Sequence, residues 1–191
     1  MSDLEAQKTQ LRSEMRPRRA LLSNAEQQLA SVALLKALTQ LPMWNGSRSI
    51  ALYMANDGEI DPAQIVSEAH RQKKDVLLPV VEQNTLSFAV CPEGEQLEVN
   101  RFGICEPGGN ASRVAPNDID IICLPLVAWS RNGARLGMGG GFYDRALADL
   151  HKASVVGLGH SFQEVEDIPM QEWDVQLQYV ATEKGLITCR L

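Results

Sequence analysis

Residues 119–127, IDIICLPLV, form the most apolar stretch of the chain and show almost no polar alternation. Such a run has to be buried on both faces, which is the situation of a central strand in a parallel sheet covered by helices. A glycine cluster follows it closely. Residues 133–147 read GARLGMGGGFYDRAL, with glycine at Gly133, Gly137, Gly139, Gly140 and Gly141. Glycine is disfavoured inside regular elements, so this segment is expected to be a loop that bends sharply or lets something approach its backbone. In open α/β sheets ligands collect beyond the carboxyl ends of the strands, and the loop begins there.

The remaining pattern fits a sheet of that class. Residues 4–21 read as a helix carrying Lys8, Arg12, Arg16, Arg18 and Arg19, bent or ended by Pro17. Ser23 and Glu26 form a capping box that opens a second helix. Its apolar positions Leu29, Val32, Ala33, Leu35 and Leu38 follow helical spacing as far as about Leu41, before Pro42. A strand at 49–54 leads into a turn at 55–59. A helix follows, capped by Asp61 with Pro62 first and Gln64 completing the box, and it ends near Arg71. A strand at 76–81 then completes a parallel crossover. A short strand at 86–90 precedes an irregular excursion over 92–117, in which Phe102, Glu106 and Pro107 either line a planar ligand or, for Phe102, pin the loop to the core. Beyond the glycines come a helix at 143–150, a strand at 154–159, a turn with His160 and Gln163, and a last strand at 179–182. The expected fold is a single α/β domain over residues 1–191. Its sheet is open and mostly parallel, flanked by helices, with residues 1–42 as an N-terminal helical segment packed on the core.

Charge and cysteine usage narrow the function classes. A net charge of -6 argues against general nucleic-acid affinity, because the basic residues are concentrated only near the N-terminus. Cys91, Cys105, Cys123 and Cys189 form no CxxC pair, and the N-terminus does not resemble a secretory signal, so a reduced, cytoplasmic protein is expected. Asp120 and Pro125 interrupt the best apolar run, which excludes a helical membrane span. A monomer is expected.

The loop suits an anion, because successive backbone N–H groups free of Cβ atoms can converge on a phosphate. It lacks the Lys-Ser/Thr ending of a P-loop, and Phe142 stands where a dinucleotide fingerprint needs its last glycine. A flexible surface turn is the competing reading of the glycines. Lys8 and Arg12, four apart, share a helix face and either close over a polyphosphate or form a solvated basic face. Asp144 and Asp174 are either oxygen ligands for Mg²⁺, which takes one or two carboxylates beside phosphate oxygens, or a salt-bridged helix residue and a turn cap.

RLGMGGGFYDR, preceded by PLVAW, closely resembles the signature of the 5-formyltetrahydrofolate cyclo-ligase (5,10-methenyltetrahydrofolate synthetase) family. The likeness continues at Lys8 to Arg12, the 53–59 stretch, Val80 after Pro79, the 102–107 loop and Pro169 through Asp174. It implies ATP-dependent closure of 5-formyltetrahydrofolate to the 5,10-methenyl form, with a reduced folate and ATP as small-molecule partners and neither nucleic acid nor membrane. It further implies that Lys8, Arg12, Arg135, Leu136, Gly137, Met138, Gly139, Gly140, Gly141, Phe142 and Tyr143 hold ATP. Met54, Glu59 and the 138–142 part of the loop would contact the folate, Asp144 and Asp174 would bind Mg²⁺, and Arg135 with Lys8 would act on the transferring phosphate. Some relatives carry Arg and Lys where this chain has Met138 and Gly140, which places more of the charge neutralisation on Lys8, Arg12, Arg135 and the metal. An enzyme acting on sugar-phosphate or CoA substrates with the same loop, or a non-catalytic RNA binder, are the alternatives.

Overall fold

A computed structural model describes residues 3–190; residues 1, 2 and 191, the ends of the expected domain span, lie outside it. The chain runs α1 (Asp3–Ala20), α2 (Asn24–Leu38), β1 (Ser49–Ala51), α3 (Ala63–Arg71), β2 (Asp75–Val81) and β3 (Leu86–Val90). It continues through β4 (Leu97–Val99), β5 (Cys105–Pro107), β6 (Arg113–Val114), β7 (Ile121–Pro125), β8 (Ala128–Trp129) and β9 (Arg135–Leu136). α4 (Phe142–Ala146), β10 (Ser154–Leu158), β11 (Tyr179–Thr182) and β12 (Gly185–Thr188) complete it.

Eight strands form one sheet in the order β12-β11-β10-β7-β1-β2-β3-β6. The inner pairs β11-β10, β10-β7, β7-β1 and β1-β2 are parallel, whereas β12, β3 and β6 pair antiparallel at the two edges. The expected open, mostly parallel sheet is therefore present. Alternate residues of its central strand face opposite ways. Ile121 and Cys123 join a core beneath α2 and α3, while Ile122 and Leu124 join a second core with Leu147, Leu177 and Phe88. Burial on both sides is the reason the run at 119–127 lacks alternation.

Local chemistry sets most of the element boundaries. Both halves of the Ser23–Glu26 capping box form at the start of α2. Asp61 accepts the Ala63 N–H at 2.9 Å, but Gln64 closes no box. Pro17 lies within α1, which ends three residues later at Ala20. α2 buries a stripe shifted from the one expected: Leu38 faces the core and Leu35 packs against it as expected, joined by Ala30, Leu34 and Ala37, whereas Leu29 and Val32 are exposed. Helical spacing fits either stripe, and the packing of α2 on α3 and the β11-β12 edge selects one. The 92–117 excursion holds more order than expected, including the antiparallel ribbon of β4 and β5 and the edge strand β6. The helix after the glycines is shorter than expected, since α4 covers only Phe142–Ala146.

Candidate functional site

The chain leaves β1 toward β2 on one side and leaves β7 toward β10 on the other, so strand order reverses between β1 and β7. A crevice opens at such a reversal, beyond the carboxyl ends of the strands. Here it is a cavity of about 800 Å³, within the usual range for ligand pockets. β7 supplies Pro125 to the wall, and Tyr53, Met54 and Glu59 enter from the segment after β1.

The short hairpin of β8 and β9, which sequence reasoning missed, delivers the glycine loop to the cavity. Arg135 and Leu136 end that hairpin, and Gly137, Met138, Gly139, Gly140 and Gly141 follow along the wall. Phe142, Tyr143 and Asp144 then line it from α4. Lys8 and Arg12 reach in from α1, and Asp174 closes the same side. The structure thus brings every residue expected at the site into one space.

Two guanidinium groups hold the loop carbonyls. Arg12 Nε donates to Gly137 O at 2.9 Å, and Arg145 Nη2 donates to Gly140 O at 2.6 Å. The N–H groups of residues 137–141 donate to no protein acceptor among the described residues. Glycine is required for this arrangement. Gly139 has φ +99°, and a Cβ there would lie 3.3 Å from the Arg12 guanidinium; Gly141 has φ +63°, and a Cβ would lie 2.7 Å from Arg145 Nη1. Carbonyls tied down and amides left unpaired make a surface that attracts anions.

The two acidic residues sit beside cations. Arg135 Nη2 donates to Asp144 Oδ1 at 2.6 Å, and Lys8 Nζ donates to Asp174 Oδ2 at 3.0 Å. Asp144 Oδ1 also accepts the Val175 N–H at 3.2 Å, which brings it next to the segment bearing Asp174, and Asp174 Oδ2 caps the Gln171 N–H at 2.9 Å. In this state Asp144 is a salt-bridged helix residue and Asp174 a turn cap, as their structural readings had it. No group of three His, Cys, Asp or Glu side chains suited to a metal occurs among the described residues. Arg135 Nε is buried without a partner, so this guanidinium keeps donor capacity that the protein does not use.

Glu59 has a different setting. Its Oε2 accepts the Asn56 N–H at 3.1 Å, and burial raises its carboxyl from 4.5 to about 7. Tyr53 and Tyr143 flank it with phenols pushed up by burial, and Tyr53 Oη donates to Ile60 O at 2.8 Å. An apolar wall with one carboxyl matches a planar heterocycle that presents N–H donors.

Sequence reasoning missed what fixes α1. The Arg19 side chain is 0% exposed; its Nη2 meets Asp57 Oδ2 at 2.6 Å and its Nη1 donates to Leu126 O at 3.2 Å. Arg16 Nε reaches the same Asp57 oxygen at 2.8 Å, and hydrogen bonding to Arg16 holds the Asp57 carboxyl below its usual range. Gly58, φ +71°, lets the turn lie against the Arg19 backbone, which a Cβ would approach to 3.0 Å. No local pattern marks a pair 38 residues apart. His160 and Gln163 stay outside the cavity lining. The His160 ring stacks on Phe162 at 5.3 Å with its pKa lowered by burial, and Gln163 Nε2 donates to Leu126 O and Val127 O. Glu106 also has a structural role, accepting from Val81 N–H at 2.9 Å and Asn100 Nδ2 at 2.8 Å.

Comparison with known proteins bears on this cavity. Residues 4–183 match the family model described as the 5-formyltetrahydrofolate cyclo-ligase family. The protein of that name from Haemophilus influenzae is 39% identical over 174 residues, covering 88% of this chain and 93% of its own. The one from Escherichia coli K12 is 37% identical over 172 residues, covering 86% and 93%. The solution structure of Aquifex aeolicus 5,10-methenyltetrahydrofolate synthetase superposes with a TM-score of 0.84 at 36% identity, covering 96% of this chain and 93% of the other.

Proposed function

The chain belongs to the 5-formyltetrahydrofolate cyclo-ligase family, and from that membership we propose that its cavity closes 5-formyltetrahydrofolate to the 5,10-methenyl form using ATP. The observation that carries this reading is the loop of residues 137–141, whose carbonyls at 137 and 140 are held by Arg12 and Arg145 while its N–H groups have no protein acceptor. That loop takes the triphosphate. The pterin lies toward Glu59 and Met54, so the formyl group faces the terminal phosphate.

A formamide carbon is a poor electrophile and its oxygen a poor leaving group. Transfer of the γ-phosphoryl group to the formyl oxygen releases ADP and makes the carbon iminium-like. N10 then attacks and loses its proton, and the C–O bond breaks to release phosphate. Such a reaction needs positioning and charge stabilisation more than a protein nucleophile. Lys8 and Arg135 supply charge at the transferring phosphate, and Arg12 with the loop amides holds the remainder. Glu59, once ionised, accepts hydrogen bonds from the pterin and fixes its orientation.

Asp144 and Asp174 fit a divalent cation: both line the cavity, lie on adjoining segments, and carry oxygen donors of the type Mg²⁺ selects beside phosphate. Bound there, Mg²⁺ would neutralise phosphate charge. Lys8 and Arg135 now pair with those two carboxylates. A triphosphate offers the cations stronger anionic partners, so both ion pairs exchange partners when the site fills.

The test is direct. Purified protein mixed with 5-formyltetrahydrofolate, Mg²⁺ and ATP develops methenyltetrahydrofolate absorbance, and the sample lacking ATP does not. Equal absorbance growth without ATP would remove the phosphorylation step.

A further inference from the structure

Beside the phosphate loop, the cavity rim carries a second basic feature, in which Arg101 has no part in the reaction above and Arg145 serves it only by holding Gly140 O. Phe102, in the turn between β4 and β5, meets Phe142 of α4 edge to face, with ring centroids 5.6 Å apart. Arg101 lies over the Phe102 ring at 5.0 Å and Arg145 over the Phe142 ring at 5.4 Å. Both guanidinium groups reach the same turn between β2 and β3. Arg101 Nη2 donates to Gln83 O at 2.5 Å and to Glu82 O at 3.2 Å, and Arg145 Nε donates to Asn84 O. Two cations therefore share one short stretch of backbone; Arg145 lines the cavity with Phe102 and Phe142, and Arg101 lies just outside that lining against the Phe102 ring.

Neither arginine has a carboxylate partner among the described residues. Their hydrogen bonds go to carbonyl oxygens, which leave the full positive charge in place. The nearby Glu82 carboxylate accepts from Ser87 Oγ at 2.7 Å and forms no ion pair with either. Pro79, Val81 and Leu86 line the same cavity as this ring pair and the Tyr53–Glu59 segment. An apolar slot with aromatic edges beside two guanidinium groups that lack ion-pair partners suits an aryl group whose carboxylates lie on a tail beyond the ring.

We propose that Arg101 and Arg145 form a subsite for the carboxylates of the folate's glutamate tail, with Phe102 and Phe142 gripping the aminobenzoyl ring. This rests on the cyclo-ligase reading and extends it to the part of the substrate remote from the chemistry. Binding energy realised there holds the formyl group in register with the γ-phosphate. The loop between β4 and β5 thereby becomes part of the site, which its exposed Phe102 does not otherwise explain.

Arg101 is the residue to test, because Arg145 also touches Gly140 O of the phosphate loop. Arg101→Ala is assayed on 5-formyltetrahydrofolate and on 5-formyltetrahydropteroate, which ends at the benzoate and lacks the glutamate. The expected result is a rise of about tenfold in KM for the glutamate-bearing substrate, from loss of one charge-assisted contact, with kcat, the KM for ATP and all constants for the tail-less substrate within twofold of the parent. Arg101→Lys recovers part of the loss. An equal loss on both substrates would overturn the subsite and make the arginine a clasp for the ribbon alone. Binding of p-aminobenzoylglutamate, followed by NMR without ATP, separates this from the reaction itself. Weakening by Arg101→Ala, with p-aminobenzoate unaffected, upholds the subsite even if no methenyl product forms, whereas indifference to the substitution overturns it.

Discussion

Lys8 Nζ and Asp174 Oδ2 lie 3.0 Å apart although 166 residues separate them in sequence, and their side chains are only 8% and 16% exposed. This ion pair ties the inner face of α1 to the segment after β10 and spans one side of the cavity. It holds the Lys8 ammonium at the cavity wall, where the proposed reading has it meet a phosphate. Replacing it with Lys8→Met is expected to raise the KM for ATP at least about tenfold, consistent with about 1.5–3 kcal/mol for a charge-assisted contact. Steady-state kinetics with ATP varied at saturating folate reads this, and an unchanged KM would remove Lys8 from the phosphate site.

Gly139→Ala places a methyl group in a left-handed backbone position and 3.3 Å from the Arg12 guanidinium. The strain is expected to cost about 1–2 kcal/mol locally. Gly139 itself is exposed, so the melting temperature should fall little. ATP binding should weaken tenfold or more, and folate binding, followed by fluorescence quenching, should weaken less, because Met54 and Glu59 are untouched.

Glu59 makes the site pH-dependent. Its carboxyl is raised to about 7 in the folded chain from 4.5. Its contribution to stability is fully present below 4.5 and is lost as pH rises through about 7, a loss on the order of 3 kcal/mol. Glu59→Gln should therefore flatten the decline of wild-type stability between these values, as read by denaturant unfolding across pH. The activity profile runs the other way. If the ionised carboxylate receives the pterin, kcat/KM for folate rises with pH to a plateau above about 7. A pH-independent kcat/KM over that window would exclude this role.

Asp57→Ala leaves the Arg19 guanidinium buried without its anion. Removing one partner of such a pair is expected to cost about 3–5 kcal/mol. Arg19→Met in the same chain should recover much of that loss, because the buried charge goes with it. Urea unfolding of the single and double variants separates this from simple loss of packing.

Asp144→Asn should shift the Mg²⁺ concentration that supports half-maximal turnover upward by tenfold or more, since one of two carboxylate donors is lost. Titration of Mg²⁺ at fixed ATP measures it. Turnover unchanged at every Mg²⁺ concentration would place the metal elsewhere.

The glycine-loop side of the cavity was legible because its residues are close in sequence and of distinctive types. Arg135 through Asp144 form one continuous segment, and a glycine-rich loop after an apolar strand signals a ligand by chemistry alone. Lys8 and Arg12 stood out only as cations on one helical face. Their alternative, a solvated basic face, fits the same spacing. Arg19 stood out only as one of several basic residues on the first helix and Phe102 only as a residue that either lines a ligand or pins its loop, and Asp57 and Arg101 carried no signal of their own, because each acts through a partner from another part of the chain.

The residue order alone determined the parallel strands, the capping box at Ser23, the turn at 55–59 and the glycine loop beyond β7, because these follow from periodicity and backbone preference over a few neighbouring residues. Tertiary structure alone decided that Leu29 and Val32 face solvent and that β8 and β9 pair. It also decided that Asp57 neutralises a buried Arg19 and that two rim arginines meet one turn. The physical reason is that burial and ion pairing depend on which distant segments pack together, and helical or strand spacing is compatible with several such packings until the sheet order selects one.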